Sequence, residues 1–351
     1  MRKISISLVI NYQPITNNES QIYSHKTPFK PHKCYNPHKE KKEITMQLLE
    51  AYKIWDEAPH NAFTDLIWFK GYFYCAFREG STHMSYDGKL RIIRSSDAKT
   101  WESVALMKYK NGDVRDAKLS ITPSNELMLN GGVRYEKPIE GYTLQSVTWF
   151  SNDGKKWSKA FTSLADLGTW RWSVTWNENM AYSFGYTGRD KHGCLYASND
   201  GKIWEIRKDK AYPDIESYGN ETSLLFLENR DAYCLLRRDK KSGTAMLGIS
   251  KPPYTSWQWS DLNVPIGGPK MIALTPERFL AAVRLYEKDS ARTSLCWIDP
   301  QKATLIEVFT LPSGGDNSYA GLITHDGFIW VSYYSSHEEK SCIYLAKLRL
   351  I

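Results

Sequence analysis

Ser95-Ser96-Asp97-Ala98-Lys99-Thr100-Trp101 is the first of three copies of one short pattern, in which an aspartate and then a tryptophan follow a serine at fixed distances. The other copies are Ser151-Asn152-Asp153-Gly154-Lys155-Lys156-Trp157 and Ser198-Asn199-Asp200-Gly201-Lys202-Ile203-Trp204. Each copy follows an apolar, strand-like stretch, and the copies recur about every 50 residues. The aspartate can accept hydrogen bonds from backbone N–H groups ahead of it, and the tryptophan can cover an apolar sheet edge. Such a period is typical of a β-propeller, in which one small sheet recurs around an axis.

Length and composition agree with a propeller. The chain has 351 residues, 13% of them aromatic, and short alternating runs such as residues 328–333 dominate over helical periodicity. Residues 46–351 divide into six repeats of about 50 residues. We therefore predict an all-β fold, a six-bladed β-propeller of four-stranded antiparallel blades, which residues 46–351 form as a single domain.

The preceding segment, residues 1–45, is crowded with basic residues in a chain of formal net charge +7. We expect a solvated, partly ordered extension, although a basic arm can also attract an anionic partner. Aromatic residues are not interleaved with its charges as in nucleic-acid binders, so we predict no nucleic-acid partner. Residues 1–10 begin like a signal peptide, but no small-residue cleavage site follows them.

The lengths of the apolar runs and the positions of the cysteines indicate the cellular compartment. No apolar run reaches the roughly 18 residues that span a bilayer, so we predict no transmembrane segment. The six cysteines lack metal-ligand spacing, and most fall in strand-like runs where a buried free thiol is usual. This slightly favours the cytoplasm and leaves secretion open. The oligomeric state also stays open.

The three repeated turns resemble the Asp-box, or BNR repeat, of the sialidase (neuraminidase) superfamily. The resemblance covers roughly residues 50–351 and implies a glycoside hydrolase that needs no metal and no organic cofactor. Because Asp-boxes lie at blade rims, they support the fold and say little about the chemistry.

Glu221 and Arg237 match one functional segment of that superfamily. Residues 220–227 and 232–238 form a predicted hairpin, with Glu221 entering one strand and Arg237 leaving the next. The resemblance implies that the glutamate is the base for a catalytic tyrosine and that the arginine belongs to a cluster that binds the substrate carboxylate. A guanidinium suits that task because it meets both carboxylate oxygens at once.

Tyr319 matches the catalytic tyrosine, because it follows a Gly-Gly turn and precedes a strand within residues 311–323. A phenol deprotonated by Glu221 suits a 2-keto sugar acid, whose own carboxylate would repel a carboxylate nucleophile. The resemblance implies another arginine before this segment. Arg292 is the preferred candidate and Arg284 the rival.

The first half of the chain departs from the superfamily. Its Phe/Tyr-Arg-Ile-Pro motif aligns with residues 60–64, which lack an arginine and include His60 and Asn61. The glutamate that pairs with that arginine corresponds to the pair Tyr333-Tyr334. Loss of the arginine or the glutamate alone would leave a buried charge without a partner. The loss of both together therefore predicts a re-purposed pocket.

Arg78 resembles the second conserved arginine of the superfamily, and His83 stands where its acid/base aspartate is expected. An imidazole transfers protons near neutral pH, so His83 is our acid/base candidate. Asp65, Asp87 and Asp116 are alternatives. The tryptophans around residue 172 form either a sugar-stacking wall or part of the core. The remaining residues that we expect at the pocket are Arg115, Trp172, Tyr334 and His337.

These patterns predict a retaining, sialidase-like glycoside hydrolase that removes a terminal acidic sugar from a glycan or glycoconjugate. Because the first arginine and the acid aspartate are both replaced, a related 2-keto sugar acid or a uronic-type glycan fits the pocket better than sialic acid itself. Tyr319, Glu221 and His83 are the predicted catalytic residues. The alternative is a non-catalytic propeller that binds glycan or protein. The presence of both Glu221 and Tyr319 favours the enzyme, because a lectin has no need of that pair.

Overall fold

Six antiparallel sheets form a propeller in the computed structural model, which describes residues 45–240 and 243–351. All but one residue of the predicted basic extension therefore lie outside the described residues. No helix in the described part of the chain is long and apolar enough to span a bilayer. The only helix among the described residues is a short 3-10 turn, Leu164–Asp166. The predicted all-β, six-bladed fold is confirmed.

The strands follow one another blade by blade. The first strand, β1 (Met46–Trp55), belongs to the last blade. Blade 1 consists of β2 (His60–Phe69), β3 (Tyr72–Gly80), β4 (Lys89–Ser95) and β5 (Glu102–Met107). Blade 2 consists of β6 (Gly112–Ile121), β7 (Leu127–Ile139) and β8 (Tyr142–Ser151). Its outer edge is reduced to a bridge between Thr148 and Phe161.

Blade 3 has a broken inner strand. Its strands are β9 (Trp170–Arg171), β10 (Thr175–Asn177), β11 (Met180–Tyr186), β12 (Cys194–Ser198) and β13 (Glu205–Lys208). Both β9 and β10 pair with β11, so they are two pieces of one inner strand. Blade 4 is regular, with β14 (Gly219–Phe226), β15 (Ala232–Arg238), β16 (Met246–Ser250) and β17 (Gln258–Asp261).

The last two blades close the ring. Blade 5 consists of β18 (Ile266–Thr275), β19 (Arg278–Tyr286), β20 (Ala291–Asp299) and β21 (Thr304–Thr310). Blade 6 consists of β22 (Asn317–His325), β23 (Phe328–Ser335) and β24 (Cys342–Leu350), with β1 paired antiparallel to β24 as its outer strand. The first and last described strands therefore share one sheet.

The three repeated turns connect the third strand of a blade to its outer segment and share one hydrogen-bond pattern. Asp97, Asp153 and Asp200 each accept two backbone N–H groups at 2.7–2.9 Å. The indole N–H of each following tryptophan donates to a backbone carbonyl within the turn at 3.1–3.2 Å. The repeat therefore specifies a local turn, as its residue types predict.

The apolar core lies between the blades. Six clusters of buried side chains fill the six contacts between neighbouring blades, so that blades 1 and 2, for example, meet through Tyr74, Leu90, Val114 and Leu129. Burial of these faces is the main favourable term for the ring.

The inner strands share an irregularity at one height. Register shifts occur at Phe63 in β2, Asp116 in β6, Glu221 in β14, Gly268 in β18 and Tyr319 in β22. Four of these residues have positive φ: 61° at Phe63, 56° at Asp116, 54° at Gly268 and 47° at Tyr319. Such bulges re-aim side chains, and here they bring residues of several blades to one cleft.

Candidate active site

The bulges border a cleft of about 500 Å³ at one end of the inner strands. Its lining combines aromatic rings with charged groups, as binding clefts for polar small molecules do. The lining residues are Phe63, His83, Met84, Arg115, Asp116, Arg134, Leu144, Trp170, Tyr186, Thr187, Tyr218, Asn220, Glu221, Arg237, Asp239 and Tyr319.

Tyr319, Glu221 and Arg237 form one hydrogen-bonded group in this cleft. The Tyr319 hydroxyl donates to Oε1 of Glu221 at 2.7 Å. Nη1 of Arg237 donates to Oε2 of Glu221 at 2.9 Å and to the Tyr319 oxygen at 2.7 Å. The backbone N–H of Gly268 donates to the same Oε2 at 2.8 Å. Glu221 is therefore fixed as a carboxylate that faces the phenol.

The electrostatic setting keeps Tyr319 protonated at rest. Burial and the neighbouring charge of Glu221 raise the pKa of Tyr319 well above 10.0, while Arg237 and Arg284 oppose this shift. A phenol in this setting becomes a nucleophile only as its proton leaves, and the 2.7 Å contact gives the proton a path to Glu221.

Arg284, the rival candidate, reaches this site, whereas the preferred Arg292 does not. The Arg284 guanidinium lies 5.1 Å from the centre of the Tyr319 ring and donates to Asp316 at 2.8 Å and to the Tyr334 hydroxyl at 2.8 Å. Arg292 is held by Glu307 on the outer strand β21 and by Glu287. The two arginines lie on neighbouring strands, and only Arg284, on β19, contacts Tyr319; neither of them is among the residues that line the cleft.

An aromatic contact joins β2 to β23 at the edge of the cleft. The rings of Phe63 and Tyr334 lie 5.4 Å apart in an edge-on arrangement. Phe63 also packs edge-on against Tyr319 at 5.1 Å, and the Arg115 guanidinium lies 5.0 Å from the Phe63 ring centre. Ring packing and one cation–ring contact therefore hold Phe63 in place.

His83, the acid/base candidate, lines the cleft next to a carboxylate. Its Nδ1 lies 2.7 Å from Oδ2 of Asp316, and Nε2 of His60 lies 3.7 Å from the same oxygen. Burial alone would raise the pKa of Asp316. Hydrogen bonds from His60, His83 and Tyr334, together with the charge of Arg284, instead hold it far below 3.8. Asp316 is therefore ionised.

Asp116, one of the alternatives to His83, is a buried carboxyl group in the same cleft. No hydrogen bond from the described residues reaches its carboxyl oxygens. Burial raises the pKa of Asp116 from 3.8 to about 6, with Arg115 opposing this shift and Glu221 adding to it. A carboxylic acid with such a pKa is protonated in a useful fraction near neutral pH.

Besides Arg284, Arg292, His60, Tyr334 and Trp172, four more expected pocket residues lie outside the cleft lining. Arg78 is fully buried and donates to Asp113 at 2.7 Å and to the Thr82 and Ser85 carbonyls, so it braces the loop that carries His83. Asn61 bonds to backbone carbonyls of Ala58 and Ser341. His337 lies beside Ser335 and Tyr344. The fourth, Asp65, belongs to a second cavity.

That second cavity, of about 520 Å³, is lined by the residues that follow the bulges along the inner strands. Asp65 binds Lys270 there at 3.0 Å. Trp172 also lines this second cavity. It is 1% exposed, and its ring lies 5.7 Å from that of Tyr319, so Trp172 belongs to the core and also forms part of a cavity wall. Trp170, two residues earlier, lines the cleft itself. Asp87 is tied to Ser81 at the end of β3.

Sequence reasoning missed Asp239, which lines the cleft, and two residues beside the cleft, Asp316 and Gly268. Asp239 holds Arg237 at 2.7 Å, and Asp316 holds Arg284 at 2.8 Å. Asp316 follows a Gly-Gly pair three residues before Tyr319, which is a signal that could have found it. Gly268 acts only through its backbone N–H, so no residue-type signal pointed to it.

Comparisons with known proteins concern the fold. No family model and no curated protein sequence matches the chain. Among solved structures, a protein of unknown function from Dyadobacter fermentans aligns with a TM-score of 0.74 and 19% identity over 87% of this chain and 99% of its own.

Two glycoside hydrolases align as well. A sialidase from Trypanosoma rangeli gives a TM-score of 0.64 and 12% identity over 83% of this chain, which spans 55% of the sialidase's length. A variant of the α-L-arabinofuranosidase of Fusarium graminearum gives a TM-score of 0.62 and 13% identity over 83% of this chain and 93% of its own. With the six blades, these likenesses show that the chain has a divergent sialidase-like propeller fold.

Proposed function

We propose that this protein is a retaining glycoside hydrolase that removes a terminal acidic sugar, with Tyr319 as the nucleophile and Glu221 as its base. The observation that carries the proposal is the Tyr319–Glu221–Arg237 group, in which a buried phenol donates to a fixed carboxylate inside an open cleft. A binding propeller has no chemical need of a phenol placed on a base.

The proposed reaction has two displacements. The Tyr319 oxygen attacks the anomeric carbon while its proton passes to Glu221, and the leaving oxygen takes a proton from a general acid. Water then attacks the same carbon, its proton passes to the deprotonated acid, and Glu221 returns the proton to the departing Tyr319 oxygen. Two inversions retain the configuration of the sugar.

Asp116 is the better candidate for the general acid. It shares the cleft with Glu221 and Tyr319, and its raised pKa of about 6 supplies the protonated form. His83 also lines the cleft and stays the rival, but it contacts the ionised Asp316. Asp65 and Asp87 do not line the cleft.

Arg237 and Arg284 are the proposed carboxylate clamp. Nη1 of Arg237 lies 2.7 Å from the Tyr319 oxygen, and the Arg284 guanidinium stacks on the Tyr319 ring, so both flank the position of the anomeric carbon. A 2-keto sugar acid carries its carboxylate on that carbon. The sialidase and arabinofuranosidase neighbours support a sugar substrate in general, and the two arginines support the acidic class.

The test is hydrolysis of a panel of fluorogenic glycosides of sialic acid, other 2-keto sugar acids, uronic acids and neutral sugars. We expect turnover of an acidic sugar that falls at least about 10³-fold in Tyr319→Phe. The matched control is Tyr333→Phe, which removes a buried hydroxyl that donates to the Pro312 carbonyl away from the cleft. No turnover of any glycoside by folded protein would favour the non-catalytic propeller.

A further inference from the structure

His60, His83 and Asp316 bring three metal-binding side chains together at the edge of the cleft. They come from β2, from the loop after β3 and from the turn before β22. One donor atom of each lies within 4.8 Å of the other two. We infer that this cluster binds a divalent transition-metal ion of the Zn²⁺ class. The sequence predicted no metal, because the three residues are far apart along the chain.

The donor set and its spacing suit such an ion. Two imidazole nitrogens and one carboxylate oxygen are common ligands for Zn²⁺, at bond lengths of about 2.0–2.2 Å. Ligand atoms around a tetrahedral ion at those bond lengths lie about 3.3 Å apart. Oδ2 of Asp316 lies 2.7 Å from Nδ1 of His83 and 3.7 Å from Nε2 of His60. Small side-chain movements therefore reach the required geometry.

The carboxylate is oriented by neighbours that leave one oxygen for the ion. Oδ1 of Asp316 accepts from Nη2 of Arg284 at 2.8 Å and from the Tyr334 hydroxyl at 2.7 Å. Oδ2 faces the two imidazoles. Hydrogen bonds of this kind to a ligating carboxylate are a regular feature of metal sites.

The cluster is accessible and borders the cleft. The side chains of His83, Asp316 and His60 are 44%, 31% and 12% exposed. His83 lines the cleft and packs edge-on against Phe63 at 5.2 Å. Three protein ligands leave a fourth position open to water or to an oxygen of a bound sugar.

Two features limit the affinity. First, Arg284 places a positive charge beside the Asp316 carboxylate. Second, Nδ1 of His60 must carry the proton when Nε2 binds a metal, and this nitrogen is buried without a hydrogen-bond partner among the described residues. We therefore expect a dissociation constant of about 1–100 μM. The inference does not rest on the proposed hydrolysis, and a titration without sugar measures metal binding alone, so the failure of one proposal is distinguishable from the failure of the other.

The test is calorimetric titration of the chelator-treated, full-length protein with Zn²⁺ alone. Residues 1–44 contain three histidines and a cysteine, so the parent protein for the titration has His25, His32, Cys34 and His38 replaced by alanine. We expect one ion per chain, with affinity reduced at least 10-fold by His60→Ala and by Asp316→Asn. His337→Ala and His325→Ala, outside the cluster, should leave it unchanged.

Co²⁺ provides a second measurement on the same variants, because its visible absorption bands report coordination by the imidazoles. Thermal melts monitored by circular dichroism establish whether each variant is folded. If Asp316→Asn does not fold, His60→Ala alone tests the inference. Absence of saturable binding to the parent protein would overturn the inference. Binding that survives both His60→Ala and Asp316→Asn would overturn it equally.

Discussion

Asp116 occupies a position where the cleft disfavours a negative charge. It lies in a bulge with φ of 56°, and the charged groups around it include Arg115, Glu221, Lys118 and Asp113. Two of these are carboxylates, and with burial they favour the protonated form. A residue that is costly to ionise in this position is suited to deliver a proton.

Asp116→Asn should separate substrates by their leaving groups. Glycosides with poor leaving groups need the acid, so we expect their kcat/KM to fall by about 10²–10⁴-fold, whereas activated aryl glycosides should lose much less. In the wild type, turnover of poor leaving groups should decline as the pH rises through about 6, because the acid form of Asp116 is lost there. Equal losses for all leaving groups would argue against this role.

Only glycine fits at position 268, because the backbone there lies close to the Tyr319 ring. With φ of 54°, a Cβ at this position would lie 2.7 Å from Cγ of Tyr319. Gly268→Ala should therefore move Tyr319 away from Glu221, reducing kcat by at least about 10-fold and the free energy of unfolding by about 3 kcal/mol.

Gly327→Ala is the matched control for that substitution. Gly327 has φ of 76° with open space around it, so alanine there carries the backbone cost alone, about 1 kcal/mol, with no loss of activity. Denaturant unfolding and kinetics of both variants give the comparison. Equal effects would show that the contact with Tyr319 is unimportant.

At the scale of elements, sequence patterns identified turns and strands better than they identified bulges. The spacing in residues 95–101, 151–157 and 198–204 locates three turns, because each depends on local hydrogen bonds of an aspartate. Which of Arg284 and Arg292 faces the cleft depends on the register of β19 and β20 around a bulge in β18. That register is a tertiary property, so residue types could not decide it.

The turn after β12 provides a test at this scale. Asp200 accepts the backbone N–H groups of Lys202 and Ile203 at 2.8 and 2.9 Å, so Asp200→Ala should lower the free energy of unfolding by about 1–2 kcal/mol. Activity should not change, because the turn is remote from the cleft. Asp289→Ala, at an exposed carboxylate without positive φ, should alter stability by no more than about 0.5 kcal/mol. Equal stability of both variants would contradict the account.

For the whole molecule, the repeat period predicted the six blades, while the cleft required contacts between distant parts of the chain. Glu221 and Tyr319 were found through resemblance to a family pattern, and their contact could be expected. Asp316 with His60 and His83 could not, because only ring closure joins residues that far apart. Short sequence patterns therefore identify single site residues, whereas the arrangement of these residues depends on contacts between distant parts of the chain.

Ring closure itself depends on β1. This strand pairs with β24, and Nε1 of Trp55 donates to Glu79 of blade 1 at 2.8 Å. A chain that begins at residue 57 would leave β24 as an unpaired edge, so we expect a lower melting temperature and aggregation. A chain that begins at residue 45 is the control, because it keeps β1, and it should melt at a higher temperature than the chain that begins at residue 57. Equal melting of the two would contradict the role of β1.

The central claim is that Tyr319 forms a covalent bond with the sugar, and trapping measures this most directly. The protein is incubated with 2,3-difluoro derivatives of sialic acid and related 2-keto sugar acids, and the labelled peptide is mapped by mass spectrometry. The Tyr319 oxygen should replace the anomeric fluoride, with fluoride released and the phenol proton taken by Glu221, so the label should map to Tyr319 and be absent in Tyr319→Phe. A label on another residue, or none on folded protein with any derivative, would contradict the account.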